Sequence, residues 1–141
     1  MLVRLTYCSR ATAGLDQEEL QAILRYARAH NAAAGITGVL CLSGGFFIQV
    51  LEGGRSPVNA LYGRLVGDQR HANVTLMGYE EVRERRFAGW SMGQANMARL
   101  NPAMLLKYSE KASLDPYALD GVAMIALFDE LVATGAIQCG T

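Results

Sequence analysis

Two short apolar runs, residues 36–42 and 46–52, are separated only by Ser43-Gly44-Gly45, a spacing that dictates an antiparallel hairpin. The flanking segments decide how that hairpin is used. Before it, Asp16 with Glu19 three positions later reads as a capping box, and Leu15 and Leu20 stand where a hydrophobic staple sits. Leu20, Ile23, Leu24 and Ala27 then form one helical stripe that should end near His30 or Asn31, ahead of Gly35. After the hairpin, Ser56-Pro57 supplies a cap and a proline at the first helical position. Val58, Leu61, Tyr62, Leu65 and Val66 follow at helical spacing up to Gly67. Residues 2–9 alternate as a strand, with Val3, Leu5, Tyr7 and Ser9 on one side and Leu2, Arg4, Thr6 and Cys8 on the other. Two further strands are expected at about 74–82 and 87–94, joined by the charged turn Glu84-Arg85-Arg86.

The resulting order, β-α-β-β-α-β-β, predicts an α/β (α+β) fold of ferredoxin-like type with a five-stranded mixed sheet. Right-handed crossovers put both helices on one face and strand one beside strand three. Beyond Gly93 the character changes. A short helix is expected at about 100–108, and a longer one from Asp115-Pro116 to Gly135. Val122, Met124, Ile125, Leu127, Phe128, Leu131 and Val132 are too many apolar residues for one narrow stripe on that helix. It is expected on the other face of the sheet, either as packing alone or with a subunit interface added. The chain thus divides into residues 1–95 and a helical extension, 96–141.

Composition removes several function classes. A length of 141 residues fits one domain, and 13 basic against 13 acidic residues give no basic excess for nucleic acid. There is no run of about 18 apolar residues to span a membrane, and the N-terminus has no signal-peptide layout. Cys8, Cys41 and Cys139 are odd in number and far apart, which reads as reduced thiols in a cytoplasmic protein. His30 and His71 lack companions at metal-ligand spacing. No Ser-His-Asp set, HExxH or paired-carboxylate motif is present, and Gly44-Gly45 and Gly53-Gly54 are too short for phosphate loops. Enzymatic chemistry is therefore not expected.

Three polar residues are out of keeping with their surroundings. Gln49 interrupts the buried run Phe46-Phe47-Ile48-Gln49-Val50-Leu51, and a buried amide must satisfy two donors and an acceptor. By alternation it faces the helices with Phe47 and Leu51, where Tyr7 on strand one would be its cross-strand partner. Asn31 closes the first helix near the same layer. Two readings stand: the polar trim of a small-molecule pocket, or a core network satisfied within itself.

The same residues carry a resemblance. Leu5-Thr6-Tyr7-Cys8-Ser9, His30-Asn31, Gly35-Ile36-Thr37-Gly38, Phe47-Ile48-Gln49-Val50-Leu51-Glu52-Gly53, Asp68-Gln69-Arg70-His71 and Phe87-Ala88-Gly89-Trp90-Ser91-Met92 occur in order over residues 1–95. Together they resemble a BLUF domain, a blue-light sensor using flavin. The resemblance implies a noncovalent flavin, usually FAD (FMN or riboflavin being open), between the two helices. It implies Tyr7 as electron and proton donor, Gln49 as a rearranging bridge, and Asn31 at the far edge of the ring. Ile23 and Phe47 would be apolar walls, with Arg70 and His71 toward the ring or its side chain. Ser9, Trp90 and Met92 would relay the change, Trp90 and Met92 from the last strand. With no catalytic domain in view, output would pass to an unidentified downstream protein or to the chain's own homodimer or larger homo-oligomer. The alternatives are a flavin-binding scaffold without light output, and an acylphosphatase-like small hydrolase, for which Ser9-Arg10-Ala11-Thr12 is poor support.

Overall fold

The computed structural model describes residues 1–12, 16–95, 101–135 and 137–138. Strand β1 (Leu2–Ala11) leads to helix α1 (Gln17–Ala33), the hairpin β2 (Thr37–Ser43) and β3 (Phe46–Gly54), helix α2 (Arg55–Val66) and strand β4 (His71–Val82). A three-residue strand β5 (Gly93–Ala95), helices α3 (Pro102–Tyr108) and α4 (Gly121–Ala133), and a two-residue strand β6 (Ile137–Gln138) complete the chain. The sheet order is β4-β1-β3-β2-β5-β6, with β2 and β5 parallel and the other pairs antiparallel. The expected five strands are present, and β6 extends the sheet by one short edge strand. Among the described residues no helix is long and apolar enough to cross a membrane.

One sheet separates two cores because successive side chains on a strand point to opposite faces. Val3, Leu5, Tyr7, Leu40, Phe47 and Leu51 pack beneath Leu20 and Leu24 of α1 and Val58 of α2. Cys8, Val39, Cys41, Ile48 and Val50 pack against Met124, Leu127, Phe128 and Leu131 of α4. Both helical layers stand where the sequence placed them. Asp16 caps α1 by accepting from the Glu19 amide; Leu15, the other half of the expected staple, lies outside the described residues, as does Cys139.

Three local expectations are corrected. Helix α1 runs to Ala33, past Asn31, and α2 starts at Arg55 after an uncapped Gly54, so Ser56 sits inside the first turn. Pro57 is tolerated there because amides of the first turn have no intrahelical partner. The last helix does not begin at Asp115. That residue caps only a 3-10 turn at Pro116–Ala118, and Asp120 caps α4 through the Ala123 amide. The start of α4 lies close against β4, where only glycine fits, since a Cβ on Gly121 would meet the Met77 carbonyl oxygen at 2.7 Å.

The largest departure is at residues 87–92, expected as strand and found as irregular chain that becomes β5 only at Gly93. A buried carboxylate holds this segment. Glu52 is fully buried on the α4 side and accepts from the amides of Phe87 (2.6 Å) and Arg86 (2.9 Å) and from Arg4 Nε (2.8 Å). Arg4 in turn bonds Glu80 at 2.8 Å. Amides committed to a carboxylate cannot join a ladder, so the alternating pattern of this stretch has no sheet to belong to.

Candidate functional site

Tyr7 and Gln49 stand directly opposite one another in the β1–β3 register, both facing the helices. The Tyr7 hydroxyl donates to Gln49 Oε1 at 2.6 Å, and Gln49 Nε2 donates to Met92 Sδ at 3.3 Å. All three side chains are buried. Burial pushes the Tyr7 phenol far above its ordinary range, with the Asp68 carboxylate adding to the rise, so the hydroxyl is held neutral. Strand β4 bulges where it passes Tyr7: its register against β1 shifts between Thr6 and Tyr7 and again between Cys8 and Arg10, near Asn73 with φ of 52°.

The bulged β4 brings His71 into the site. Its Nδ1 lies 2.6 Å from the Ser9 hydroxyl, and its ring packs on Phe47 with centroids 4.6 Å apart. Burial lowers the His71 pKa, which keeps the imidazole neutral. Asp68, one turn earlier, accepts the Arg70 amide and pairs with its guanidinium, which brings the carboxyl down to about 2. Together these side chains enclose a cavity of about 220 Å³ between α1 and α2. Ile23 and Ala27 form one wall and Leu65 the other, Tyr7, Leu40, Phe47 and Gln49 the floor, and Arg64, Asp68, Arg70 and His71 the polar end. A shallower groove of about 400 Å³ runs on from it along α1, with Ile23 and Arg70 common to both.

Eight of the ten expected site residues meet at this cavity or bond to a group that does: Tyr7, Ser9, Ile23, Phe47, Gln49, Arg70 and His71 line or abut it, and Met92 joins them through Gln49. Asn31 is buried one turn beyond Ala27 on α1 but is not among the lining residues. Trp90 is the exception. It packs against Phe87, centroids 6.2 Å apart, in the core on the α4 side. Alternation had placed it with Met92, but residues 87–92 are not a strand, so the two side chains part company and Met92 is the neighbour of Gln49. Sequence reasoning missed Arg64 and Leu65 on the cavity face of α2. It also missed Arg28, whose Nε donates to the Met92 carbonyl at 3.0 Å and fixes the backbone behind the thioether. The helical stripe of α2 already carried Leu65; nothing in the pattern marked Arg28.

A flat slot with apolar walls, a polar end and a buried Tyr–Gln–Met chain suits a planar heteroaromatic ligand. The sequence profile described as sensors of blue-light using FAD (BLUF) matches residues 2–93. The chain belongs to the BLUF family. It is 39% identical over 95 residues to photoactivated adenylate cyclase subunit beta of Euglena gracilis, covering 67% of this chain and 11% of that protein. The Euglena longa subunit beta is 37% identical over 95 residues, again 11% of its length. The chain therefore spans about a tenth of the curated relatives it matches. Among solved structures, the BlsA photo-activated state aligns at a TM-score of 0.81 with 30% identity, over 94% of this chain and 95% of that one. The dark state of BlrB, a BLUF protein, aligns at 0.77 with 30% identity, over 95% and 96%. This BLUF domain is thus a flavin-binding blue-light photoreceptor of ferredoxin-like fold, and the cavity between α1 and α2 fits the group its family uses.

Proposed function

We propose that this chain senses blue light through FAD seated between α1 and α2, with Tyr7 and Gln49 as its photochemical pair, and signals by changed protein contacts without catalysis of its own. A bound flavin supplies the absorption of blue light and an excited acceptor for one electron. Tyr7 would be the electron source, and its hydroxyl proton would move along the 2.6 Å bond to Gln49 Oε1, electron and proton both returning to Tyr7 as the excitation decays. The Gln49 amide then rearranges. Its two ends have opposite hydrogen-bond polarity, so turning it exchanges donor for acceptor toward every neighbour. Met92 makes that exchange consequential, because a thioether accepts and does not donate. The turned amide would present its oxygen to a sulfur that cannot answer it, and Met92 is released. Ser9 would hold His71 beside Tyr7, while Ile23 and Phe47 would wall the ring, Asn31 would hold its far edge, and Arg70 and His71 would lie toward the ring or its side chain. Trp90, on the Phe87 core, takes up the movement of the segment that carries Met92.

Residues 96–141 form the output element in this reading, acting on a downstream protein or a second copy of the chain in the cytoplasm. The observation that carries the proposal is the unbroken bond chain Tyr7–Gln49–Met92 beside the slot. Absorption spectra before and after blue light test it. The protein should show a reversible red shift of the flavin band, and Tyr7→Phe and Gln49→Leu should each abolish it while retaining flavin. A normal shift in either variant overturns the assigned roles, and a flavin-loaded protein with no shift at all is a scaffold and not a sensor.

A further inference from the structure

The groove outside the slot contains an aromatic plane that nothing in the photochemistry uses. Tyr26 is 65% exposed, yet its ring is braced from behind. His30, one turn later, stacks on it with centroids 3.8 Å apart and planes 20° apart, and His30 Nδ1 donates to the Tyr26 carbonyl at 2.9 Å. What remains open of the Tyr26 ring lines the groove of about 400 Å³, together with Glu19, Ala22, Ile23 and Arg70. Ile23, Tyr26 and Arg70 also border the inner slot, so the groove is continuous with it and open to the side chain of a ring-bound flavin.

We propose that this groove is a subsite for the adenosine diphosphate portion of FAD, with the adenine stacked on Tyr26. Charge sets the direction. Arg70, at the junction with the slot, pairs with Asp68 through Nε and Nη2, which leaves Nη1 outside that pair and available to a diphosphate. Glu19, on the α1 wall, repels phosphate but accepts a hydrogen bond from the exocyclic amine of adenine. Ala22 and Ile23 give the base an apolar floor. A flat, prestacked tyrosine loses little freedom on taking a base, which favours affinity. The proposal rests on the flavin reading of the slot and adds to it a preference among flavins.

The test is equilibrium binding of riboflavin, FMN and FAD to flavin-free protein, followed by flavin fluorescence. FAD should bind about tenfold more tightly than FMN, within the range one base–aromatic stack carries. Tyr26→Ala should erase most of that margin, weakening FAD about tenfold more than FMN or riboflavin, and Tyr26→Phe should restore it. Equal affinity for FAD and FMN in the unaltered protein overturns the subsite, as does a Tyr26→Ala variant that loses all three flavins alike. Failure to bind any of the three refutes the flavin reading itself, which is a different result.

Discussion

The polar groups around the slot differ in how they are satisfied, and that governs what each substitution costs. Asn31 is buried and does not line the cavity, and in the proposed reading it would hold the flavin through its side-chain amide. Asn31→Ala should weaken flavin binding by roughly 0.5–1.5 kcal/mol, the value of a neutral hydrogen bond, read as a dissociation constant; no change would remove Asn31 from the ligand set. Two neighbours of the site titrate in the same direction. The folded-state pKa of His71 lies below 6.5 because burial disfavours its cation, and that of Asp68 is brought from 3.8 to about 2 by Arg70. In each case the unfolded chain binds the proton first. The stability each provides is therefore complete above its unfolded pKa and is lost as pH falls through the folded one. Urea midpoints of flavin-free protein should fall on acidification below pH 6.5, and fall again between about pH 4 and 2. His71→Gln should flatten the first decline and leave the second. The Tyr7–Gln49 pair was legible from sequence because a polar residue in a buried run must find a partner, and strand alternation names which face it uses.

At the scale of elements, strands with an unbroken pattern and helices with caps could be read, and the segment held by a side chain could not. Residues 87–92 alternate well enough to pass for a strand, and only the buried Glu52 shows why they are not one. Nothing in Leu51-Glu52-Gly53 announces that the carboxylate will be fully buried, bonded at once to Arg4 and to two amides 34 and 35 residues away. The position of Trp90 failed with it, since periodicity assigns faces only where a sheet exists. Glu52→Gln keeps the shape and an acceptor but strands the Arg4 guanidinium. It should lower the free energy of unfolding by about 3 kcal/mol, measured by chemical denaturation. A loss under about 1 kcal/mol would mean that Glu80 alone satisfies Arg4. The break before α4 was hidden too: Asp115-Pro116 is a sound helix start locally, but it caps only a 3-10 turn, and the helix proper is capped by Asp120.

For the whole molecule, the breadth of apolar surface on α4 resolves into a buried stripe and a small remainder. Met124, Leu127, Phe128 and Leu131 face the sheet, Ile125 and Val132 are half-buried against the same core, and Val122 stands 82% exposed. Across the groove from Val122 lies β4, the sheet edge, which contributes Met77, Gly78 and Tyr79 to the groove. The expected self-association would run through that corner. Light scattering at tens of micromolar should show a dimer or larger species that Val122→Asp dissociates, with the flavin spectrum unchanged. A monomeric parent protein in both dark and light would defeat the idea. Removing residues 96–141 is a poor substitute for that variant, since it would bare Cys8, Val39, Ile48 and Val50 to water.

Strand β3 sends Phe47, Gln49 and Leu51 to the flavin side and Ile48, Val50 and Glu52 to the α4 side. On the proposed reading, the partition between receiver and output is a single backbone thick, and it would behave as a diaphragm. Any shift of β3 that accompanies the turning of Gln49 is felt at once by the side chains next to it in sequence, which already touch the far compartment. Such a device needs no relay of successive contacts around the rim of the sheet. What it needs is stiffness, and the many ladder bonds that β3 shares with β1 and β2 supply it.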